Sequence, residues 1–417
     1  MPVYHTPGVY IEEVSGGPHP IESVGTRTAA FLGITPDPDA SVNVAVAINN
    51  WTEFVNKFIR AATQSTDLSH AVYGFFLNGG SRCYVVNVGK DGSIAGGGKK
   101  RTGIDLLEEV DEVAIVCAPG YTRAEDYETV LAHCEKLKDR FAILDAPLEV
   151  DDIDRLVKTA TAPTAAQSKS KAQAAKDSTK DSGSTDGTPA GTAPPDGLRP
   201  RSSDGGYGAF YFPGITVRDP LSPKDLVDTY PSGFMAGVYA RTDAETGVQT
   251  APANRSLLGA LNVKYRVTGE EQGELNQNGV NVIRFFPREG IRVWGARTLA
   301  TSGEWKYLNV RRLFIMIEES IAISLRWSVF QLNDESLWKD ITRDVKAFLT
   351  LLWRDGALVG KTPQEAFFVK CDAETNPPEV VDAGMVVCVI GLAPAKPAEF
   401  IVFRIGQHAG GTEVETL

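Results

Sequence analysis

A mixed α/β fold is what this sequence predicts, and three stretches carry the prediction. EVAIVCAP (112–119), AEDYETVLAHCEKLKDR (124–140) and FAILDAP (141–147) run strand, amphipathic helix, strand at the spacing of a parallel βαβ unit. VNVIRFFP (280–287) and IRVWGARTL (291–299) read as two strands joined by Arg288-Glu289-Gly290, a hairpin signal. Residues 337–354 place Leu337, Ile341, Val345, Phe348 and Leu352 on one apolar helical face.

The remaining elements follow in chain order. GVYIEEV (8–14) is strand-like, being rich in β-branched and aromatic residues, and Pro7-Gly8 and Ser15-Gly16-Gly17-Pro18 set it off. TAAFLGITP (28–36) is a short strand ended by proline. Helical spacing follows in Trp51, Phe54, Val55 and Phe58, then in Ala71, Val72, Phe75 and Phe76, with a stop at Asn78-Gly79-Gly80. CYVVNV (83–88) reads as a buried strand. From Thr159 to Gly206 Leu198 is the only large aliphatic residue, so the segment cannot offset its ordering entropy and reads as a mobile insertion.

Order resumes with FMAGVYARTD (234–243), a strand or short helix. Residues 310–330 suggest a helix with Leu313, Ile317, Ile321 and Leu325 on one stripe. For helix 337–354, Asn333, Asp334 and Ser336 offer N-caps and Gly356 fits the stop, with Lys339, Asp340, Arg343, Asp344 and Lys346 on the polar side. The last strand, AEFIVFRIGQH (398–408), has apolar residues on both faces: Phe400, Ile401, Val402, Phe403 and Ile405. Such a strand should be buried.

Composition narrows the function classes. The chain has 417 residues, enough for two domains with sizeable cores, and 42% hydrophobic with 23% charged residues is a globular balance. No apolar run is long enough for a membrane span, and MPVYHTPGVYIEEV lacks the basic and apolar regions of a secretory signal, so a cytosolic protein is expected. A net charge of −11 argues against a general nucleic-acid surface. Cys83, Cys117, Cys134, Cys371 and Cys388 are odd in number and form no C-x-x-C, so free, mostly buried thiols are expected.

GALVGKTP (356–363) resembles a phosphate loop only superficially. It has three residues where four are needed, follows a helix rather than a strand, and loses an amide donor at Pro363. AGGGKKRTG (95–103) fails as well, with Lys100 in the Ser/Thr position. The histidines (His5, His19, His70, His133, His408) are scattered, and adjacent carboxylates such as Glu12-Glu13, Glu108-Glu109 and Asp151-Asp152 point apart. No catalytic, metal or cofactor constellation emerges.

The two terminal strands, each bounded by Gly or Pro, admit two readings. On strand pattern alone they complete the chain's own sheet; alternatively they add to sheets in neighbouring subunits, and such heterologous contacts propagate into rings or helices. A family resemblance favours the second. TPGVYIEEV, HAVYGFFLNGGSRCYVVNV (70–88), SGFMAGVYARTDAETGVQTAPAN (232–254), LNQNGVNVIRFFPREGIRVWGARTL (275–299), WKYLNVRRLFIMIEESI, VFQLNDESLW, GALVGKTPQEAFFVKCD and APAKPAEFIVFRI together resemble the contractile tail sheath family of phage tails and related injection systems.

That resemblance implies an N-terminal arm (1–25), an outer α/β domain (26–232) carrying a disordered insertion (159–206), an inner lattice-forming domain (233–398) and a C-terminal arm (399–417). It implies that strands from neighbouring arms complete the inner sheet, which falls here on Val9, Tyr10, Ile11, Val14, Phe400, Ile401, Val402, Phe403 and Ile405. The tube-facing helix would be 337–354, with Lys339, Arg343 and Lys346 as contacts. The implied partners are further copies of the chain, an inner tube protein, and baseplate and terminal cap proteins, without nucleic acid or membrane insertion. Ser15–Pro20 and Ala393–Pro397 are expected to act as hinges. A cytosolic enzyme with a βαβ ligand-binding half, and another tail component such as a tube or baseplate protein, are the alternatives.

Overall fold

The computed structural model describes residues 19–90, 92–97, 100–161 and 197–402. Its first strands are β1 (Ala29–Gly33) and β2 (Ala45–Ile48), followed by a short helix α1 (Trp51–Phe54), helix α2 (Asp67–Leu77) and β3 (Cys83–Asn87). β4 (Ile115–Cys117), α3 (Ala124–Leu137) and β5 (Phe141–Asp145) form the expected βαβ unit, and β4 and β5 pair in parallel. Next come β6 (Gly208–Phe212), β7 (Ile215–Arg218), β8 (Leu226–Thr229), α4 (Ser232–Thr246), β9 (Asn262–Val263), α5 (Gly269–Gln277), β10 (Val280–Phe286) and β11 (Gly290–Trp294). The C-terminal part holds α6 (Leu308–Ser324), α7 (Glu335–Arg354), α8 (Pro363–Ala366), β12 (Phe367–Lys370), α9 (Pro378–Asp382) and β13 (Val389–Leu392).

Eight strands form one sheet in the order β11-β10-β6-β5-β4-β1-β3-β2. The strands from β10 to β3 run parallel, and antiparallel β11 and β2 close the two edges. Parallel strands are buried on both faces, which explains why AAFLG, IVC, FAILD and GAFYF are apolar throughout rather than alternating. The expected hairpin is present, with Phe286 opposite Gly290 and positive φ at Arg288 and Gly290.

FMAGVYARTD is a helix, not a strand. Residues 232–240 are buried all round α4, so no amphipathic period marks it. It lies against α2 at very short range. A Cβ on Gly233 would come within 2.3 Å of the Ala71 backbone, and one on Gly237 within 2.6 Å of the Phe75 carbonyl oxygen.

Buried side chains fall into two clusters. The larger one fills both faces of the eight-stranded sheet and extends through α4, β10 and β11. The smaller joins Leu313, Met316 and Ile317 of α6 to the apolar face of α7, to Ala357 and Leu358, and to Phe367 and Val369 of β12. The expected domain boundary at 232/233 therefore cuts through a single sheet. Packing divides instead along α6, because β6 and β10 are ladder partners from opposite sides of that boundary.

Helix α7 follows its sequence closely. Leu337, Ile341, Val345, Phe348 and Leu352 are all buried. Asp334 caps it by accepting bonds from the amides of Ser336 and Leu337. Gly356, at φ 76°, ends it: its amide bonds the Trp353 carbonyl and the Ala357 amide bonds that of Leu352.

The expected insertion splits into two parts. Residues 162–196 lie outside the described residues. Residues 197–206 are packed onto the body: Thr159 bridges Arg199, the Leu198 amide donates to Arg155, and Ser203 is fully buried.

Candidate assembly site

The C-terminal segment leaves the body through a sequence of backbone pairings. After β13, the Ala393 amide donates to the Ala366 carbonyl, and the Ala393 carbonyl accepts from the Val359 amide at 2.8 Å. Leu358 bridges Pro394, and the Ala395 amide donates to Ala357. Asn309 of α6 donates to the Ala395 carbonyl at 3.2 Å. GALVGKTP is thus the platform on which residues 393–395 lie; the amides of Gly356, Ala357 and Val359 serve the main chain, and that of Lys361 donates to the Glu365 carboxylate. The expected hinge at Ala393–Pro397 is instead a fastening, because its backbone groups are engaged at both 393 and 395.

Glu399 completes the fastening. Its carboxylate takes two bonds from the Arg297 guanidinium, Nε at 2.8 Å and Nη2 at 2.7 Å, the bidentate geometry that binds most strongly. Asn276 Nδ2 adds a bond at 2.6 Å, Tyr307 Oη one at 3.2 Å, and Lys306 Nζ stands 3.5 Å away. Burial pushes this carboxyl up, but the bonds from Arg297 and Asn276 and the charges of Arg297 and Lys306 outweigh it and hold the pKa at about 2. Arg297 is itself fixed: its amide donates to Asn281 Oδ1, its carbonyl accepts from Asn281 Nδ2, and its Nη1 donates to the Asn276 carbonyl.

Immediately beyond this clamp the chain is bare. Phe400, Ile401 and Val402 are 73%, 74% and 79% exposed, and none belongs to a strand. A groove of 530 Å³ opens beside Phe400 and Ile401, walled by Arg284, Trp294 and Tyr307. The expected burial of both faces does not occur within one chain over 398–402. Phe403 and Ile405 lie outside the described residues, as do Val9, Tyr10, Ile11 and Val14.

Close to the root of this arm stands a sheet of only two strands, β12 and β13. Each has one ladder partner among the described residues, and no described strand lies along its outer edge. Phe368 and Val389 are exposed on it. A two-stranded sheet is marginal in water, and unpaired edges are templates for strands from another chain.

The N-terminal segment is fastened along α6. His19 stacks on Trp327 at 4.4 Å, and the amides of Glu22 and Val24 donate to Ser324 and Ser320 of α6. Arg312 donates to the Thr26 carbonyl and forms a buried ion pair with Asp243 at 2.6 Å.

Lys339, Arg343 and Lys346 are all exposed on the outer side of α7. They are not equivalent. Lys339 pairs with Glu335 at 3.0 Å, and Arg343 with Asp340 at 2.6 Å and Asp344 at 2.9 Å. Lys346 makes no ion pair with a described residue. Sequence reasoning missed Glu399 and Arg297. The available signal was the single acid at the head of the apolar run FIVF. Among the described residues no group of His, Cys, Asp and Glu could hold a metal ion, and no helix is long and apolar enough to cross a membrane.

Comparison with known proteins places this geometry. The family model for the phage tail sheath protein central domain matches residues 103–299, and that for the phage tail sheath C-terminal domain matches 301–407. The tail sheath protein of Salmonella phage ViI is 32% identical over 167 residues, 39% of this chain and 25% of that protein. The chain spans about half the length, or less, of the curated relatives it matches. A solved sheath complex of the extracellular contractile injection system PVC, in its contracted state, superposes with a TM-score of 0.74 at 29% identity, covering 98% of this chain and 99% of the other. The contracted helical sheath of the anti-feeding prophage superposes with a TM-score of 0.70 at 28% identity, over 97% of this chain and all of that one.

Proposed function

The chain belongs to the phage tail sheath family, and from that premise we propose that it is the structural subunit of a contractile sheath. Copies polymerise helically around an inner tube and, on release, shorten and widen to drive the tube into a target. The role is mechanical rather than catalytic. The free energy of the stroke is the difference between two packings of the same subunits. Even about 1–3 kcal/mol per subunit becomes large over a long lattice.

The observation that carries this reading is the C-terminal arm. A part-buried clamp at Glu399 ends abruptly in three exposed apolar residues, and seven residues before it the chain leaves a sheet that has two strands among the described residues. Clamping fixes where the arm departs, so that the strand reaches a neighbour's sheet in register. The family resemblance gives residues 9–14, which lie outside the described residues, the role of the second donated strand. Assembly takes place in the cytosol of the producing bacterium. The outer face of α7 meets the tube, with Lys346 the cation still available for an intermolecular partner.

Removal of residues 400–417, which spares Glu399, tests the assignment. The expected result is a folded subunit, with unchanged circular dichroism and thermal unfolding, that forms no striated tubes by negative-stain microscopy. Sheaths built by the truncated chain would overturn it.

A further inference from the structure

We propose that Cys371 and Cys388 are a disulfide site: on meeting an external disulfide they join covalently and staple the hairpin that leads into the C-terminal arm. The ladder pairs Phe367 with Leu392 and ends at Lys370 with Val389; the same register, carried one residue further, sets Cys371 opposite Cys388. The type of pair follows from the same ladder. Ala393 donates its amide to Ala366, which makes 366/393 a hydrogen-bonded pair. Continued one step past the last laddered pair, Lys370 with Val389, the alternation puts 371/388 in the non-hydrogen-bonded phase. In a regular antiparallel ladder that phase brings Cα atoms to about 4.5 Å. That lies within the roughly 4.4–6.8 Å a disulfide spans.

The loop between the two cysteines is held so that this register persists. Asn376 is 2% exposed; its Oδ1 accepts from the Val387 amide at 2.6 Å and its Nδ2 donates to the Val387 carbonyl at 3.1 Å. The same Nδ2 lies 3.7 Å from the Cys371 sulfur. One buried amide therefore grips both the residue before Cys388 and the thiol of Cys371. The two thiols interact directly with each other. Cys83, Cys117 and Cys134, by contrast, are completely buried.

The chemistry balances with oxidised glutathione as the oxidant. The sulfur of Cys388, the half-buried residue of the two, loses its proton and attacks one glutathione sulfur, releasing one glutathione thiolate. The Cys371 sulfur, deprotonated in turn, attacks the Cys388 sulfur and releases the second. The protein loses two hydrogens, and one glutathione disulfide becomes two thiols. Burial raises both thiols, that of Cys388 to about 12, so closure is slow at neutral pH and the finished bond is sheltered from exchange.

The test uses the full chain, incubated with oxidised glutathione, alkylated and mapped by mass spectrometry without reduction. The expected result is one intrachain link joining the Cys371 and Cys388 peptides, with the three interior cysteines alkylated only after denaturation. Cleavage within 372–387 by a nonspecific protease should slow several-fold on oxidation, and Cys388→Ser should abolish that slowing. Glutathione retained on Cys388 alone, both cysteines remaining free, or a link between chains would each overturn the proposal.

Discussion

Replacing Glu399 by alanine removes the carboxylate on which four side chains converge. Bonds to a charged group are each worth about 1.5–3 kcal/mol, and stranding a buried charge costs roughly 3–5 kcal/mol. Two features lower the cost here. Arg297 keeps its bond to the Asn276 carbonyl, and its side chain is 10% exposed beside a groove that admits water. A loss of about 2 kcal/mol is therefore expected, near the bottom of that range. It falls on local opening of 393–402 rather than on global unfolding, and corresponds to about a thirty-fold change in the opening equilibrium. Amide hydrogen exchange reads this directly at Ala395, whose amide donates to Ala357, and at Val359, whose amide donates to Ala393. Both should exchange faster by that factor, while Phe31 in the large sheet stays protected. The wild-type protein should show the same effect on acidification. Glu399 has a folded pKa near 2, below its ordinary 4.5, so its stabilisation is complete above about 4.5 and is lost as pH falls toward 2. The variant should show no such loss. Protection unchanged at Ala395 in the alanine variant, or an acid response that survives in it, would refute the clamp.

Three further outcomes are expected. Arg312→Met breaks an ion pair whose side chains are 3% and 2% exposed and should cost about 3–5 kcal/mol in denaturant titrations, most of it recovered in the Arg312→Met/Asp243→Leu double variant; a single-variant loss below about 1 kcal/mol would contradict the burial argument. Asp145, pushed up to about 7 by burial against the opposing bonds from Ser232, binds its proton more tightly in the folded state, so its contribution to stability is full below about pH 4 and declines up to pH 7; Asp145→Asn should remove that slope. Charge reversal of Lys339, Arg343 and Lys346 together should impair assembly around the tube, with Lys346→Glu accounting for most of the defect because the other two already hold internal carboxylates; normal tube-filled particles from the triple variant would reject the tube-facing assignment.

Elements with a surface period or a buried β-rich run were legible in the sequence. The α7 stripe, the βαβ unit and the β10–β11 hairpin follow directly from residue type and spacing. Helix α4 was ambiguous because burial on every side erases the amphipathic period. Residues 197–206 look like solvated insertion by composition, yet main-chain bonds to 155–160 order them, and such bonds leave no hydrophobic trace. The clamp was hidden for a different reason. Glu399 is more than a hundred residues from both Arg297 and Asn276, and no local period registers a pairing at that range. The pairing of β6 with β10 across the expected boundary is illegible for the same reason, since the two strands meet only in the folded sheet.

Helix α6 has a consequence for how two tails on one body move. Its first turn is tied to the C-terminal tail through Asn309, and through Tyr307 just ahead of the helix; its last turns hold the N-terminal tail through Ser320 and Ser324. Between Asn309 and Ser324 lies a rigid rod of about 22 Å at 1.5 Å per residue. Within a subunit the spacing of the two departure points is therefore set by helix geometry and does not stretch. If the tails couple to adjacent copies as proposed, the mesh deforms like a lattice of fixed bars and pivoting corners, and its change in length is all rotation beyond Glu399 and ahead of His19.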